Sequence, residues 1–393
     1  MKARFWLARV TVEATAPLAI GSGQGDDLRD ALFAVSSGGL PYLPGSSLAG
    51  VLQTRCKGSP GVNCERLFGR IAAGSQDSEG SRASRLQVSH GQVHGAHNKA
   101  MPLDAPASQD PVLVSCALGV TRDHVRLDGA GVVEGAGKFD DTAVPIGARF
   151  TFELRLEEPD DAEVTAILAA LGDLRLGGKT RRGFGSVAVR RCAARRFDLS
   201  ESADRTAYCK LGLDLSSEPN LYQLGFKDVT LGQADIGNVR LVLKLQPQDC
   251  FLMGGGSAVE SVDAHWHDGK ARNKLPWSER TIRWHGDVGK VDATPVPIVP
   301  GSGVKGALRH RTLFHLRRID ATMDVPGAGD PLAPLFGEIK AKSSGGEEEH
   351  VGTPGHVFVS DRNPGHSRLT DRWSRTMHRR GHDLEHQQLL AAA

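Results

Sequence analysis

The strongest constraint on this chain of 393 residues is an internal repeat. Arg9-Val-Thr-Val-Glu-Ala-Thr-Ala-Pro-Leu-Ala-Ile-Gly-Ser-Gly alternates apolar and polar residues and then enters glycines, the pattern of a half-buried strand running into a loop. Arg240-Leu-Val-Leu-Lys-Leu, closing on Gly254-Gly-Gly, echoes it. Leu40-Pro-Tyr-Leu-Pro-Gly-Ser-Ser-Leu-Ala-Gly-Val is answered by Val296-Pro-Ile-Val-Pro-Gly-Ser-Gly-Val-Lys-Gly-Ala. Leu67-Phe-Gly69 then pairs with Leu335-Phe-Gly337, and Arg85-Leu-Gln-Val-Ser89 with His356-Val-Phe-Val-Ser360. Four elements recurring in one order predict two related folding units, and the length suits two domains.

The first unit continues with an alternating strand at 149–156 and a helical stripe of Val164, Ile167, Leu168 and Leu171, and closes on the Gly-rich stretch 176–187. Strand, helix, strand, strand, helix, strand is the ferredoxin-like order of an α+β domain, here with long insertions. The expected division is a first domain over 1–195, a connection over 196–235, a second domain over 236–361 and an Arg/His-rich tail over 362–393. The second unit has no counterpart of 176–187, so it reads as incomplete.

Lys and Arg total 48 against 46 Asp and Glu, a formal charge of +2, so a polyanion site must be a local patch. Aromatics at 5 % leave no material for broad stacking platforms. No apolar run reaches the roughly 20 residues of a membrane span and the first residues lack a signal peptide, so a cytoplasmic protein with no membrane partner is expected. Six Cys in such a compartment are thiols or metal ligands.

Pro44-Gly45-Ser46-Ser47 predicts a helix start capped by Ser, whose free amides and hydroxyls suit a phosphate. The plainer reading is an ordinary capped helix, but the motif occurs twice. Cations follow each copy: Arg55 in the first, and Lys305, Arg309 and Arg311 after Ser302 in the second. Gly177-Gly-Lys-Thr-Arg-Arg-Gly-Phe-Gly185 sets Lys179, Arg181 and Arg182 among four glycines, as a phosphodiester site or as a hairpin with solvated charges. It is not a Walker A loop, because position 173 is Asp.

Taken in order, the glycine end of the first strand, the Pro-Gly-Ser-Ser helix, Leu-Phe-Gly and the 176–187 stretch resemble the RAMP superfamily of CRISPR-associated proteins. Within it they look most like the backbone subunit of type III effector complexes, with two copies fused as in type III-D-like systems. The resemblance implies RNA-recognition-like domains and partners that include CRISPR guide RNA, target RNA and other RAMP subunits. It also implies target cleavage by an Asp in the loop before the Pro-Gly-Ser-Ser helix. Spacing from Pro44 points to Asp30, with Asp26 and Asp27 behind it, acting with a divalent metal (Mg or Mn) or as proton acceptor. The matching second-half loop holds Asp263, Asp268, Glu279, Asp287 and Asp292, none of which aligns.

The same resemblance makes 119–145 a thumb hairpin with RNA contacts from Arg122, His124, Arg126 and Lys138. It also makes Cys56, Cys64, Cys116 and His94 a candidate set for structural zinc, although the C-x7-C spacing is not diagnostic, the second half has no equivalent, and scattered thiols with surface histidines are the plainer reading. Two rival readings remain open. One is a non-catalytic scaffold of the same complex; the other is a stand-alone RAMP endoribonuclease processing precursor guide RNA with His90, His94 or His97 as base.

Overall fold

A computed structural model describes residues 3–21, 32–70, 81–107, 109–127, 132–212, 215–216, 220–232, 241–242, 253–254, 277–319, 330–344 and 347–361. Its centre is an antiparallel sheet. Strand β1 (Arg4–Ala14) lies between β7 (Arg149–Glu157) and β8 (Val187–Asp198). On the far side of β7 run β3 (Leu86–Val88) and β4 (Gly91–Val93), and β2 (Tyr42–Leu43) pairs with β4. The register along β7 slips by one residue between β3 and β4, so they act as one strand with a bulge at Ser89-His90. The Ser89 hydroxyl accepts the Glu153 amide at 2.8 Å and closes the gap.

Read across, β8, β1, β7 and β3/β4 have the strand order of a ferredoxin-like unit, with α1 (Gly45–Cys56) and α4 (Asp161–Gly172) as its two helices. Every second residue of β1 makes the core. Trp6, Ala8, Val10 and Val12 pack with Phe150, Phe152, Leu154 and Leu156 beneath Leu48 and Leu52 of α1 and Ile167 and Leu171 of α4. Helix α4 starts where Asp160 accepts the Ala162 amide, and two acids in its first turn suit the helix dipole.

The opposite face of the sheet is closed as well. The stretch expected to be a connection over 196–235 instead begins as the last residues of β8, forms α5 (Ser202–Cys209), and returns to pair β9 (Lys227–Asp228) with β8. Phe5, Leu7, Ala193 and Phe197 are buried there under Leu221, Leu224 and Phe226. The apolar residues at 5, 7 and 197 need a cover, and 199–226 supplies it.

The hairpin expected over 119–145 is present as β5 (Val120–Leu127) and β6 (Val133–Ala143), a ladder separate from the main sheet, with α3 (Pro111–Leu118) leading into it. Downstream come β10 (Ser278–Glu279) with β13 (Val296–Pro297), β11 (Ile282–His285) with β12 (Val288–Val291), and β14 (Gly337–Ser344) with β15 (Glu347–Pro354). Helices α6 (Gly301–Ile319) and α7 (Ala333–Phe336) complete this half. Among the described residues the second half therefore has three two-stranded ladders and no second four-stranded sheet. The strand expected from Arg240 lies largely outside the described residues, and 356–360 is irregular chain.

The repeat nevertheless holds locally. Helices α2 (Cys64–Phe68) and α7 both end on the glycine of Leu-Phe-Gly, at φ 85° in each. At the start of α1 a methyl on Gly45 would meet the Val88 carbonyl at 2.4 Å, and one on Gly301 would meet the Val359 carbonyl at 2.5 Å. Val88 and Val359 hold the same place in the repeat, so each helix start is pressed onto the equivalent segment of its own half.

Candidate nucleic-acid interface

The two helix starts differ in what caps them. At α1 the Gly45 amide donates to Nδ1 of His90 at 3.0 Å, and at α6 the Gly301 amide donates to Oδ1 of Asp361 at 2.7 Å. His90 and Asp361 are equivalent too, each directly after the Val-Ser of the repeat. Neither helix is capped by its serines: the residue before α1 is Pro44 and makes no side-chain cap, leaving Ser46 and Ser47 exposed. Helix geometry gives the amides of Ser46 and Ser47 no intrahelical acceptor. An imidazole nitrogen thus takes one amide at the α1 start, whereas at α6 a carboxylate of the chain occupies that place beside half-buried Ser302.

Asp361 belongs to a buried cluster. Arg122 donates to its Oδ2 at 2.5 Å and to both Glu279 oxygens, at 2.5 and 3.0 Å, while the Trp277 indole donates to Glu279 at 2.7 Å. Burial alone would lower the Arg122 pKa, but Glu279 and Asp361 outweigh it and hold it above its ordinary value. Burial, reinforced by Glu279, raises the Asp361 pKa against the pull of Arg122 and the Gly301 amide. Arg122 is 1 % exposed, which corrects its reading as an RNA contact. It instead ties the foot of the β5–β6 hairpin to two segments of the second half.

The Gly-rich stretch docks on this cluster. Gly183 has φ 103°, and a methyl there would stand 1.8 Å from Asp361 Oδ1; a methyl on Gly301 would stand 2.9 Å from the Gly183 Cα. The three cations of the stretch then separate in role. Lys179 pairs with Asp141, whose pKa stays low because hydrogen bonds from His124 and Lys179 outweigh its burial. Arg181 donates to the Gly355 carbonyl at 2.6 Å and lies over the Phe358 ring. Arg182 is exposed and has no carboxylate partner among the described residues.

Lys305 stands beside the two arginines. Its Nζ donates to the Val357 carbonyl at 3.0 Å, and burial, then Arg182, then Arg181 lower its pKa. Cations crowded without a facing acid are relieved by an anion.

The other expected contacts are dispersed. Arg55 sits at the far end of α1 from the serines, in an ion pair with Asp173 at 3.0 Å, so it does not serve the helix start. Arg309 pairs with Asp330. His124 is half-buried, stacked on Phe139 and 3.1 Å from Asp141, whereas Lys138 is exposed. Arg126 falls within β5, but its side chain lies outside the described residues, as do Asp26, Asp27, Asp30, Asp263 and Asp268. Of the second-half acids, Glu279 is held by Arg122, Asp287 by the Asn98 amide at 2.9 Å, and Asp292 by Arg283 and Thr281.

The zinc set is not brought together. Among the described residues no three of His, Cys, Asp and Glu gather as metal ligands. Cys56 and Cys116 are buried, and burial pushes both thiols up to about 12, with Cys64 adding to the effect at Cys56 and Asp110 at Cys116. Both ring nitrogens of His94 are engaged, by Asn98 at 2.9 Å and Thr151 at 2.7 Å. That engagement, with the capping role of His90, leaves exposed His97 as the one uncommitted base of the precursor-processing reading. Asp361 and Glu279 were invisible as partners of Arg122 in the sequence; only position 361, one residue past Val-Ser in the repeat, carried a signal.

The face of the sheet that carries Phe5 and Phe197 is covered. RNA-recognition sheets stack bases on aromatics of their open face. Here Phe5 and Phe197 hold such places but stack on each other at 5.2 Å, under Tyr208 and Phe226.

The described residues form an α+β fold with a ferredoxin-like sheet, and the Gly-rich stretch and the start of α6 bring Arg181, Arg182 and Lys305 together. Residues 11–188 match the family model of the RAMP superfamily, a span running from β1 through the Gly-rich stretch. Over that span the chain is similar to the RAMP superfamily. A search of curated proteins found no match to the chain. No helix among the described residues is long and apolar enough to cross a membrane.

Proposed function

We propose that the chain is a backbone subunit of a type III CRISPR RNA-guided effector complex, with two fused RAMP units that hold guide RNA by its phosphates. The observation that carries this reading is the meeting of the two halves at Gly183 and Gly301, which sets exposed Arg182 beside Lys305 and Arg181. A Gly-rich stretch from one unit and a Pro-Gly-Ser helix from the next form one electropositive ledge, and the β5–β6 hairpin rises from the same cluster through Arg122. Base pairing between guide and target would supply sequence recognition, so the protein contributes geometry and charge.

The same reading assigns target cleavage to Asp30, with Asp26 and Asp27 as neighbours that take over if the loop places them nearer the scissile phosphate. A carboxylate there would hold a divalent metal or accept the proton of the attacking 2′-hydroxyl. The structural commitments of Glu279, Asp287 and Asp292 favour cutting by the first half alone. The test is cleavage of complementary RNA by the chain assembled with guide RNA and its neighbouring subunits, in the presence of Mg. Asp30→Ala should lower cleavage by about two orders of magnitude while Asp287→Ala leaves it intact. Full cleavage by Asp26→Ala, Asp27→Ala and Asp30→Ala alike would make this subunit a scaffold.

A further inference from the structure

Helix α6 carries Lys305, Arg309, Arg311, Arg317 and Arg318 and no acid, and of its 19 residues Gly301 and Lys305 are the buried ones. Arg311, Phe314, His315 and Arg318 follow at intervals of three, one and three residues, which places all four on one face. That face points to solvent. All four residues are exposed, and the Phe314 ring, an apolar group that helices ordinarily turn inward, is 44 % exposed. The Arg311 guanidinium lies 4.9 Å and that of Arg318 5.7 Å from the ring centroid, with the His315 ring edge-on at 5.4 Å.

We propose that this face is a stacking platform for one unpaired base of single-stranded RNA, distinct from the ledge at Arg182 and about four helical turns along from the start of α6. The inference rests on the RNA-binding reading above and adds a second contact to it. Both guanidiniums lie over the ring in the free chain; a base takes the place of one of them against the ring, and the guanidinium it displaces pairs with a flanking phosphate. From Arg311 to Arg318 the helix rises by about 10 Å, the axial span of about three nucleotides in a stacked strand. The absence of acids on α6 argues for a polyanion over an acidic protein patch, which would need only the charges and not the ring. Stacking requires bases that are not paired, so the platform serves a single-stranded segment of the bound RNA.

The full chain is titrated with a fluorescent uridine oligonucleotide and with a tracer of equal length that has the sugar-phosphate backbone but no bases. Phe314→Leu keeps an apolar side chain and removes the aromatic face; Phe314→Trp keeps both. The expected result is about tenfold weaker binding of the uridine oligonucleotide by Phe314→Leu, near-native binding by Phe314→Trp, and equal binding of the baseless tracer by all three proteins. Arg311→Ala with Arg318→Ala should lower the log–log salt slope by about 1.4. If Phe314→Leu binds uridine as the parent does while Arg182→Ala is weakened, the platform is wrong and the RNA-binding reading stands. If Phe314→Leu alters self-association of the chain and not RNA binding, the face is a protein contact and the proposal falls. If the parent binds neither oligonucleotide nor tracer, both readings fall.

Discussion

His94 is held neutral chiefly by burial. Asn98 Oδ1 accepts from Nδ1, and Nε2 meets the Thr151 hydroxyl, which in turn meets Thr11 at 2.8 Å. Asn98 is itself oriented by donating to Asp287 in the second half. Burial first, and Arg149 after it, lower the His94 pKa to about 4 against the opposing hydrogen bond to Asn98. Since the folded value lies below the ordinary 6.5, the unfolded chain takes up the proton first as pH falls. Stability present above about pH 6.5 is therefore lost between 6.5 and 4, by roughly 3 kcal/mol at most. Urea melts across this range should show that loss in the parent and not in His94→Gln; parallel profiles would contradict the assignment. Thiol chemistry gives a second reading at this scale. Cys56, Cys116 and Cys192, with pKa values raised chiefly by burial, should resist alkylation at pH 8 in the folded chain, whereas exposed Cys209 reacts. Rapid labelling of Cys56 would contradict its place in the core.

Between elements, the Arg122 cluster is the joint to break. Arg122→Leu strands Glu279 and Asp361 in the interior and should cost about 3–5 kcal/mol. Asp361→Asn keeps an acceptor for the Gly301 amide and removes one of two carboxylates facing a single arginine, so it should cost about 1 kcal/mol. Equal losses in thermal or chemical melts would mean that the cluster is not a closed ion triad. Gly183→Ala should undock the Gly-rich stretch from α6, because the added methyl meets Asp361 at a positive φ. The sequence made the elements readable where periodicity was strong: β1, β7, α1 and α4 each lie where alternation or a 3.6-residue stripe puts them, while the 119–145 hairpin followed from the family resemblance. It made 196–235 read as a connection, because Ser, Glu, Asp and Asn are frequent there and its buried residues Leu221, Leu224 and Phe226 follow no period. The Ser caps also failed, for a physical reason: Pro44 precedes the helix directly, and the acceptor comes from His90, 45 residues away.

For the whole molecule, the repeat made equivalent helix starts and equivalent Leu-Phe-Gly turns legible, because each is a run of adjacent residues; the docking of those starts on Val88 and Val359, far along the chain, was not. The partition of cations did not follow from sequence. Lys179, Arg181 and Arg182 are adjacent and look alike, and only long-range partners at Asp141, Gly355 and Phe358 separate two anchored cations from one free to meet solvent. The central claim, that RNA phosphate is held where the two halves meet, is tested most directly by the salt dependence of guide RNA binding to the purified chain. Arg182→Ala should lower the log–log slope by about 0.7, one phosphate contact on a single strand, with melting unchanged. Lys179→Ala should lower melting by losing its pair with Asp141, and leave the slope near the parent value. An unchanged slope in Arg182→Ala, with the full loss appearing instead in Lys179→Ala, would contradict the account.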